Sequence, residues 1–356
     1  MLKRLAMNDA TDLNGVGGGG WRRPLDPFAF FYLFVFIQVS LVAVWVGLRP
    51  PNIGTDTANY LSFYNDVLSC QCMPGEFEVG FEVVAYLFAL FDSGSAAFLC
   101  SLSLLNFILV LWVSSKAARY YSSGRDSRKF ILVVMAAFLV SPFFLNSQIN
   151  IIRQGLSALF LFHAVFDMRN GRTLRALVWS LLSLSFHFTA ALSLLSLFLL
   201  LLGRRVVLVS TVLMFLAYAS GGTEAFVIYF SNVSGLDIYS RISGYAAGAE
   251  YKAGVRLDFA AFSIAIPVLA KLAGHFQRSY SEYIDWAVGV YLSILMPFWF
   301  FGWANYSDRF AFTAWLFASI VLSIGLMPLV RKLSLGVVIV PSLLSFFVFW
   351  GYLISK

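Results

Sequence analysis

The chain is dominated by apolar runs, many of which approach or reach the roughly 20 residues that cross a bilayer as a helix. Hydrocarbon offers no hydrogen bonds to backbone N–H and C=O groups, so a run placed there must satisfy them internally, as a helix does. The fold class that follows is all-α: a polytopic helical membrane protein. Composition agrees, with 60% hydrophobic and 12% charged residues against about 45–50% and 25% in globular proteins. A water-soluble enzyme, a disordered chain and a collagen are excluded. In such a chain, charged residues that face water or one another carry most of the functional information.

Apolar runs place about eleven transmembrane helices, near 28–48, 96–114, 130–146, 150–167, 174–187, 188–203, 206–219, 257–273, 284–302, 310–329 and 333–353. The stretch 78–91 is apolar but short, and reads as an external or re-entrant helix. Residues 1–27, with glycines at 15 and 17–20, read as a flexible cytoplasmic tail ahead of a retained anchor rather than a cleaved signal peptide. Residues 28–356 then form a single transmembrane domain, with long external loops near 49–95 and 220–256. Most of the 25 lysines and arginines fall on the other connections, which the positive-inside rule assigns to the cytoplasm. The net charge of +7 is therefore a topology signal, and no basic stripe is set aside for nucleic acid.

Both long loops lie on one face, where function in a compact membrane bundle usually sits. In the first, Pro50 and Pro51 break the preceding helix. Thr55 or Asp56 can cap a short helix that shows Tyr60 and Tyr64 on one side. Cys70 and Cys72 follow, and their C-x-C spacing argues for unpaired thiols, since a bridge that short is strained.

Arg153 is the most informative position, because a guanidinium inside an apolar helix is costly unless it meets water or an anion. It either snorkels or pairs locally, or it clamps phosphate oxygens with its fork-shaped donor set. His187 ends a span near the same face, either bonding backbone carbonyls or serving as a proton-transfer group. His163, deeper in its span, reads as a core histidine. Arg241, Lys252, Arg256 and Arg309 are the other external cations that could join Arg153 in a cationic pocket. Tyr60, Tyr64, Tyr239, Tyr245, Tyr251, Trp303 and Tyr306 fit a sugar-stacking set or an ordinary interfacial belt. No P-loop, G-x-S-x-G, H-E-x-x-H or D-x-D occurs, and Glu76 and Glu78 form an E-x-E pair that hints weakly at a metal.

In order, the chain carries Asp56-Thr57-Ala58-Asn59-Tyr60, then Glu78-Val79-Gly80-Phe81 opening a short apolar helix. Ile152-Arg153-Gln154-Gly155-Leu156 follows, then Phe186-His187-Phe188-Thr189-Ala190, and a late external Arg309. This set resembles the EpsG-type polysaccharide polymerases, a branch of the Wzy O-antigen and exopolysaccharide polymerase family. One departure is Val79, where the family often carries Pro. The resemblance implies a GT-C-like membrane glycosyltransferase in the bacterial inner membrane, with its active site facing the periplasm. It implies polymerisation of repeat units carried on undecaprenyl pyrophosphate, with the lipid-linked glycan and membrane lipids as partners and a chain-length regulator and flippase as candidate partners. It implies no cofactor and no nucleic acid. Asp56, Glu78 and His187 become the candidate catalytic residues, and Arg153, Gln154, Arg309, Arg241, Arg256 and Tyr60 the candidate substrate-binding residues. The alternatives are a metal-dependent GT-C enzyme using a lipid-monophosphate sugar, with Glu76 and Glu78 as ligands, and a lipid-linked oligosaccharide transporter.

Overall fold

The computed structural model describes residues 27–121, 125–243, 254–275 and 281–354. The tail assigned to 1–27 falls almost wholly outside them, as do Tyr245, Tyr251 and Lys252. Two units divide the chain, Met1–Ile37 and Gln38–Lys356. In the first, the described residues form the opening half of a helix. Everything below concerns the second.

Among the described residues there are helices and no strands. In chain order they are α1 (Pro27–Leu48), α2 (Thr57–Cys70), α3 (Val79–Ala89), α4 (Ser95–Tyr121), α5 (Arg125–Leu139) and α6 (Pro142–Ile149). Then come α7 (Ile152–Arg169), α8 (Thr173–Phe186), α9 (Ala190–Leu201), α10 (Arg204–Ala219), α11 (Gly222–Ser234) and α12 (Ile238–Ser243). The last are α13 (Leu257–His275), α14 (Ser281–Ile294), α15 (Met296–Phe301), α16 (Ser307–Val330) and α17 (Leu335–Ile354).

Among the described residues, 4 helices are long and apolar enough to cross a membrane, and up to 6 if each bent pair counts as one span. The bent pairs are α5 with α6, at 66°, and α10 with α11, at 83°. Of the eleven spans expected from apolar runs, four to six meet this measure among the described residues. The chain breaks several runs into helices too short for a bilayer core of about 30 Å at 1.5 Å per residue. One break falls at His187, whose extended backbone separates α8 from α9. The stretch read as a half-helix is the 11-residue α3.

Helix α7 is the pillar of the bundle, buried at every residue from Gln154 to Asp167. Its small residues admit close neighbours, the usual basis of helix packing in membranes. Ser157 and Ser183 exchange hydroxyl-to-carbonyl hydrogen bonds of 2.7 Å across α7 and α8. Gly155 lies against Ser147 of α6, where an added Cβ would stand 2.4 Å from the serine Cβ. At 18 residues α7 spans about 27 Å, so its two ends present different environments. His163 sits along it as a core histidine, fully buried with its ring 4.8 Å from Trp112 and from Trp179.

The first long loop folds into α2 and α3. Asp56 occupies the N-cap position of α2, although its side chain makes no capping bond. Tyr60 and Tyr64 are both buried on the inner face of that helix. The thiols expected to be unpaired are instead joined as the Cys70–Cys72 disulfide. Gln71 between them adopts left-handed backbone angles (φ 50, ψ 40), and this turn at the end of α2 brings the two cysteines together.

Candidate functional site

Glu78 is the hub of a polar cluster at the N-terminal end of α7. It stands in the extended N-cap position of α3, so its side chain projects just before the helix begins. Val79 is the first helical residue, a position that tolerates proline or an ordinary residue alike, and it is exposed. The departure from the family's proline therefore leaves this helix start in place. Gly80 presses on the end of α8, where an added Cβ would meet Ser185 Oγ at 2.4 Å. The preceding turn is held by Glu82, a buried carboxylate that accepts backbone N–H bonds from Gly75 (3.1 Å) and Phe77 (2.8 Å).

The Glu78 carboxylate, with only 7% of its side chain exposed, binds two nitrogen donors. Arg153 Nη1 donates to Oε2. His187 Nδ1 lies 2.7 Å from Oε1, which also accepts the Phe188 N–H at 3.3 Å. Burial alone would push the Glu78 carboxyl up. The hydrogen bond to His187, the imidazole itself and the Arg153 guanidinium outweigh burial and hold it down at about 2. An ionised carboxylate only accepts, so His187 donates from Nδ1. Its Nε2 has no hydrogen-bond partner among the described residues. Arg153 completes its seat by stacking on Phe77, with 4.0 Å from guanidinium carbon to ring centre.

A second pair stands beside this hub. Arg309, near the start of α16, lies 3.5 Å from Asp56. Gln154 joins the two arginine-bearing helices, donating its side-chain amide to the Arg309 carbonyl at 2.6 Å. Tyr60 lies between the pairs. Its hydroxyl donates to the Asn150 carbonyl at 2.9 Å and is within hydrogen-bonding reach of Arg153. Burial, assisted by Asp56 and opposed by Arg153 and Arg309, pushes this phenol up to about 12, so it stays protonated.

The structure thus gathers Asp56, Tyr60, Glu78, Arg153, Gln154, His187 and Arg309 at one end of the bundle. Arg241 and Arg256 are placed differently. Arg241 is exposed on α12. Arg256 forms an ion pair with Asp258 at 2.6 Å and lies over the Phe259 ring. Glu76 is exposed, while both oxygens of Glu78 are engaged by Arg153 and His187. Among the described residues no three His, Cys, Asp or Glu side chains converge as metal ligands.

Sequence reasoning passed over Asn150, Arg49 and Glu82. Asn150 Oδ1 accepts the Thr55 N–H at 2.8 Å, tying the first loop to the junction of α6 and α7. Arg49 reaches Thr57 Oγ1 (3.0 Å) and the Ile149 carbonyl (3.1 Å). The available signal was polarity at element ends: Arg49 leaves α1, and Asn150 separates two apolar helices.

These features define a helical membrane protein with an arginine, histidine and carboxylate cluster at one end of its bundle. The EpsG family's sequence model matches residues 32–356, nearly the whole chain, and the chain belongs to that family. Membership places it with polysaccharide-polymerase-type membrane proteins. No curated protein and no solved structure matches it.

Proposed function

We propose that the protein is a GT-C-like glycosyltransferase that joins oligosaccharide repeat units carried on undecaprenyl pyrophosphate, on the external face of the bacterial inner membrane. The observation that carries this reading is the convergence of His187, Glu78 and Arg153 from three separate elements, with His187 Nε2 left uncommitted. In the reaction an acceptor hydroxyl attacks the anomeric carbon of the donor. The new glycosidic C–O bond forms, the bond from that carbon to the diphosphate oxygen breaks, and the lipid diphosphate leaves with the bonding pair.

His187 Nε2 takes the proton of the acceptor hydroxyl, while Glu78 fixes the ring orientation and stabilises the imidazolium that results. Arg153 and Arg309 meet the negative charge growing on the departing diphosphate, where preorganised cations lower a barrier most. Asp56 sets the position of Arg309, and Tyr60 donates to the backbone between the two pairs. Arg241 and Arg256, on the second external loop, serve the glycan farther from the reacting bond. A lipid tail, an interfacial diphosphate and a hydrated oligosaccharide suit a cluster at the end of a lipid-embedded bundle.

The test is polymerisation of a defined lipid-linked repeat by the purified protein, with and without EDTA. Polymer formed equally in both arms supports the reading. No turnover favours the transporter, and turnover abolished by chelator favours the metal-dependent alternative. A reporter fused after Lys356 checks the orientation and should be active only outside the cytoplasm.

A further inference from the structure

At the end of α7 remote from Glu78 lies a cavity of about 690 Å³ between the C-terminal ends of α4 and α7 and the start of α8. Its floor is an ionic network around Asp167. Asp167, 1% exposed, accepts from Lys116 Nζ at 2.6 Å and from Trp179 Nε1 at 3.0 Å. The Lys116 ammonium also lies 5.6 Å from the Trp112 ring centre and 5.1 Å from that of Trp179. Lys116 and Asp167 therefore neutralise each other.

The rim is different. Arg119, Arg172 and Arg175 line it, and all three are exposed. Arg172 makes a loose 3.8 Å approach to Asp167, with 51% of its side chain exposed. Arg119 and Arg175 have no ion-pair or hydrogen-bond partner among the described residues. Three guanidiniums thus face a cavity whose one carboxylate is bonded through Oδ2 to Lys116 and Trp179 and is approached at Oδ1 only loosely by Arg172.

The wall continues as apolar surface. Leu174 and Val178 line the cavity and are 75% and 48% exposed. Leu177 and Leu181 extend that surface along α8, at 55% and 57% exposed. In a membrane protein such a helix face meets acyl chains. A guanidinium rim selects phosphate oxygens, and an adjoining lipid-facing wall selects an anion that carries a hydrocarbon tail.

We propose that this cavity holds the head group of an anionic phospholipid, with its acyl chain laid along α8. Basic pockets between membrane helices are suited to such head groups. A soluble phosphate compound would use the rim and leave the wall without purpose. This site is separate from the Glu78 cluster and does not depend on the proposed polymerase reaction.

The experiment uses the full-length protein, delipidated in detergent, then mixed with phosphatidylglycerol or phosphatidylcholine of matched chains and weighed intact by native mass spectrometry. Phosphatidylglycerol should be retained preferentially. The double variant Arg119→Gln/Arg175→Gln should lose that retention by about thirty-fold, since each basic residue near a bilayer surface contributes about 1 kcal/mol. Arg205→Gln/Lys332→Gln, removing the same charge from exposed positions elsewhere, should leave it unchanged. A photoactivatable phosphatidylglycerol on the wild-type protein should cross-link to α4 or α8, which tests the site without any variant. Equal retention of both lipids, equal loss in the control pair, cross-links elsewhere, or displacement of the lipid by millimolar inorganic phosphate would each overturn the proposal.

Discussion

The two ends of α7 solve the same electrostatic problem in opposite ways. Each end buries one carboxylate between two basic side chains: Glu78 with Arg153 and His187, and Asp167 with Lys116 and Arg172. Asp167 is 1% exposed, and the ammonium beside it is boxed by two indoles. Around Glu78 the two partner side chains keep about a fifth of their surface open, at 21% for Arg153 and 20% for His187. At Asp167 the bonds to Lys116 and Trp179 both use Oδ2, and Arg172 approaches Oδ1 only loosely at 3.8 Å. The Glu78 cluster keeps donors and an imidazole nitrogen facing outward. Buried charge is thus a structural device at one end, and at the other an arrangement with capacity left for a ligand.

Four measurements bear on that contrast. The largest effect is expected for Asp167→Ala, which strands Lys116 beside apolar rings. Breaking a buried pair from one side costs about 3–5 kcal/mol, and the variant should show a marked loss of folded protein in membranes. Normal membrane levels with lost polymer would invert the contrast. Glu78→Gln comes next: protein level should hold while polymer synthesis falls by roughly 100-fold or more, the usual scale of general-base catalysis, which His187 loses without its orienting carboxylate.

Arg153→Lys keeps the charge and loses the fork, and polymer output should drop by about ten-fold or more on a gel at equal protein level. Wild-type-length polymer from this variant would leave only a generic positive charge at the site. The smallest effect concerns acid. Because the Glu78 carboxyl is held down at about 2, the stability it contributes is fully present above the ordinary carboxylate value of 4.5. That contribution is lost as pH falls through about 2. Melting of the detergent-solubilised protein across this window should show a component in the wild type that Glu78→Gln lacks. An identical pH profile in both would mean the carboxylate is not ionised through its neighbours.

The parts of the site legible in the sequence were those whose chemistry is conspicuous in an apolar chain. Arg153 and His187 stood out because charge in hydrocarbon needs a reason. Glu78 was named through its Glu78-Val79-Gly80-Phe81 motif, but its role as their shared partner was not legible, since it is 75 residues from Arg153 and 109 from His187, and no local pattern reports such pairings. Arg241 and Arg256 were grouped with them on charge alone, and the structure gives Arg256 a neighbour two residues away. The helical class was plain from the apolar runs. Span number was not, because hydropathy averages over breaks such as the extended His187 and the 66° bend between α5 and α6. The cysteine pairing was missed because spacing says nothing of the left-handed turn at Gln71.

Both motifs that supply the hub, Glu78-Val79-Gly80 and Arg153-Gln154-Gly155, place a glycine two residues after the charge. Each glycine lies where a single methyl would collide with a neighbouring serine, Ser185 for Gly80 and Ser147 for Gly155, at 2.4 Å. The paired residues therefore work as a charge and its gauge. In the proposed reaction the charge does the chemistry, and the missing methyl sets how deeply the helix behind it is seated. An alanine at either position would leave every polar group in the chain intact and still jack one side of the ion pair away from the other. Reacting groups tolerate little displacement, and a shift of about 1 Å can cost on the order of a hundred-fold in rate. The site's precision is held by two hydrogen atoms that stand where carbons would be.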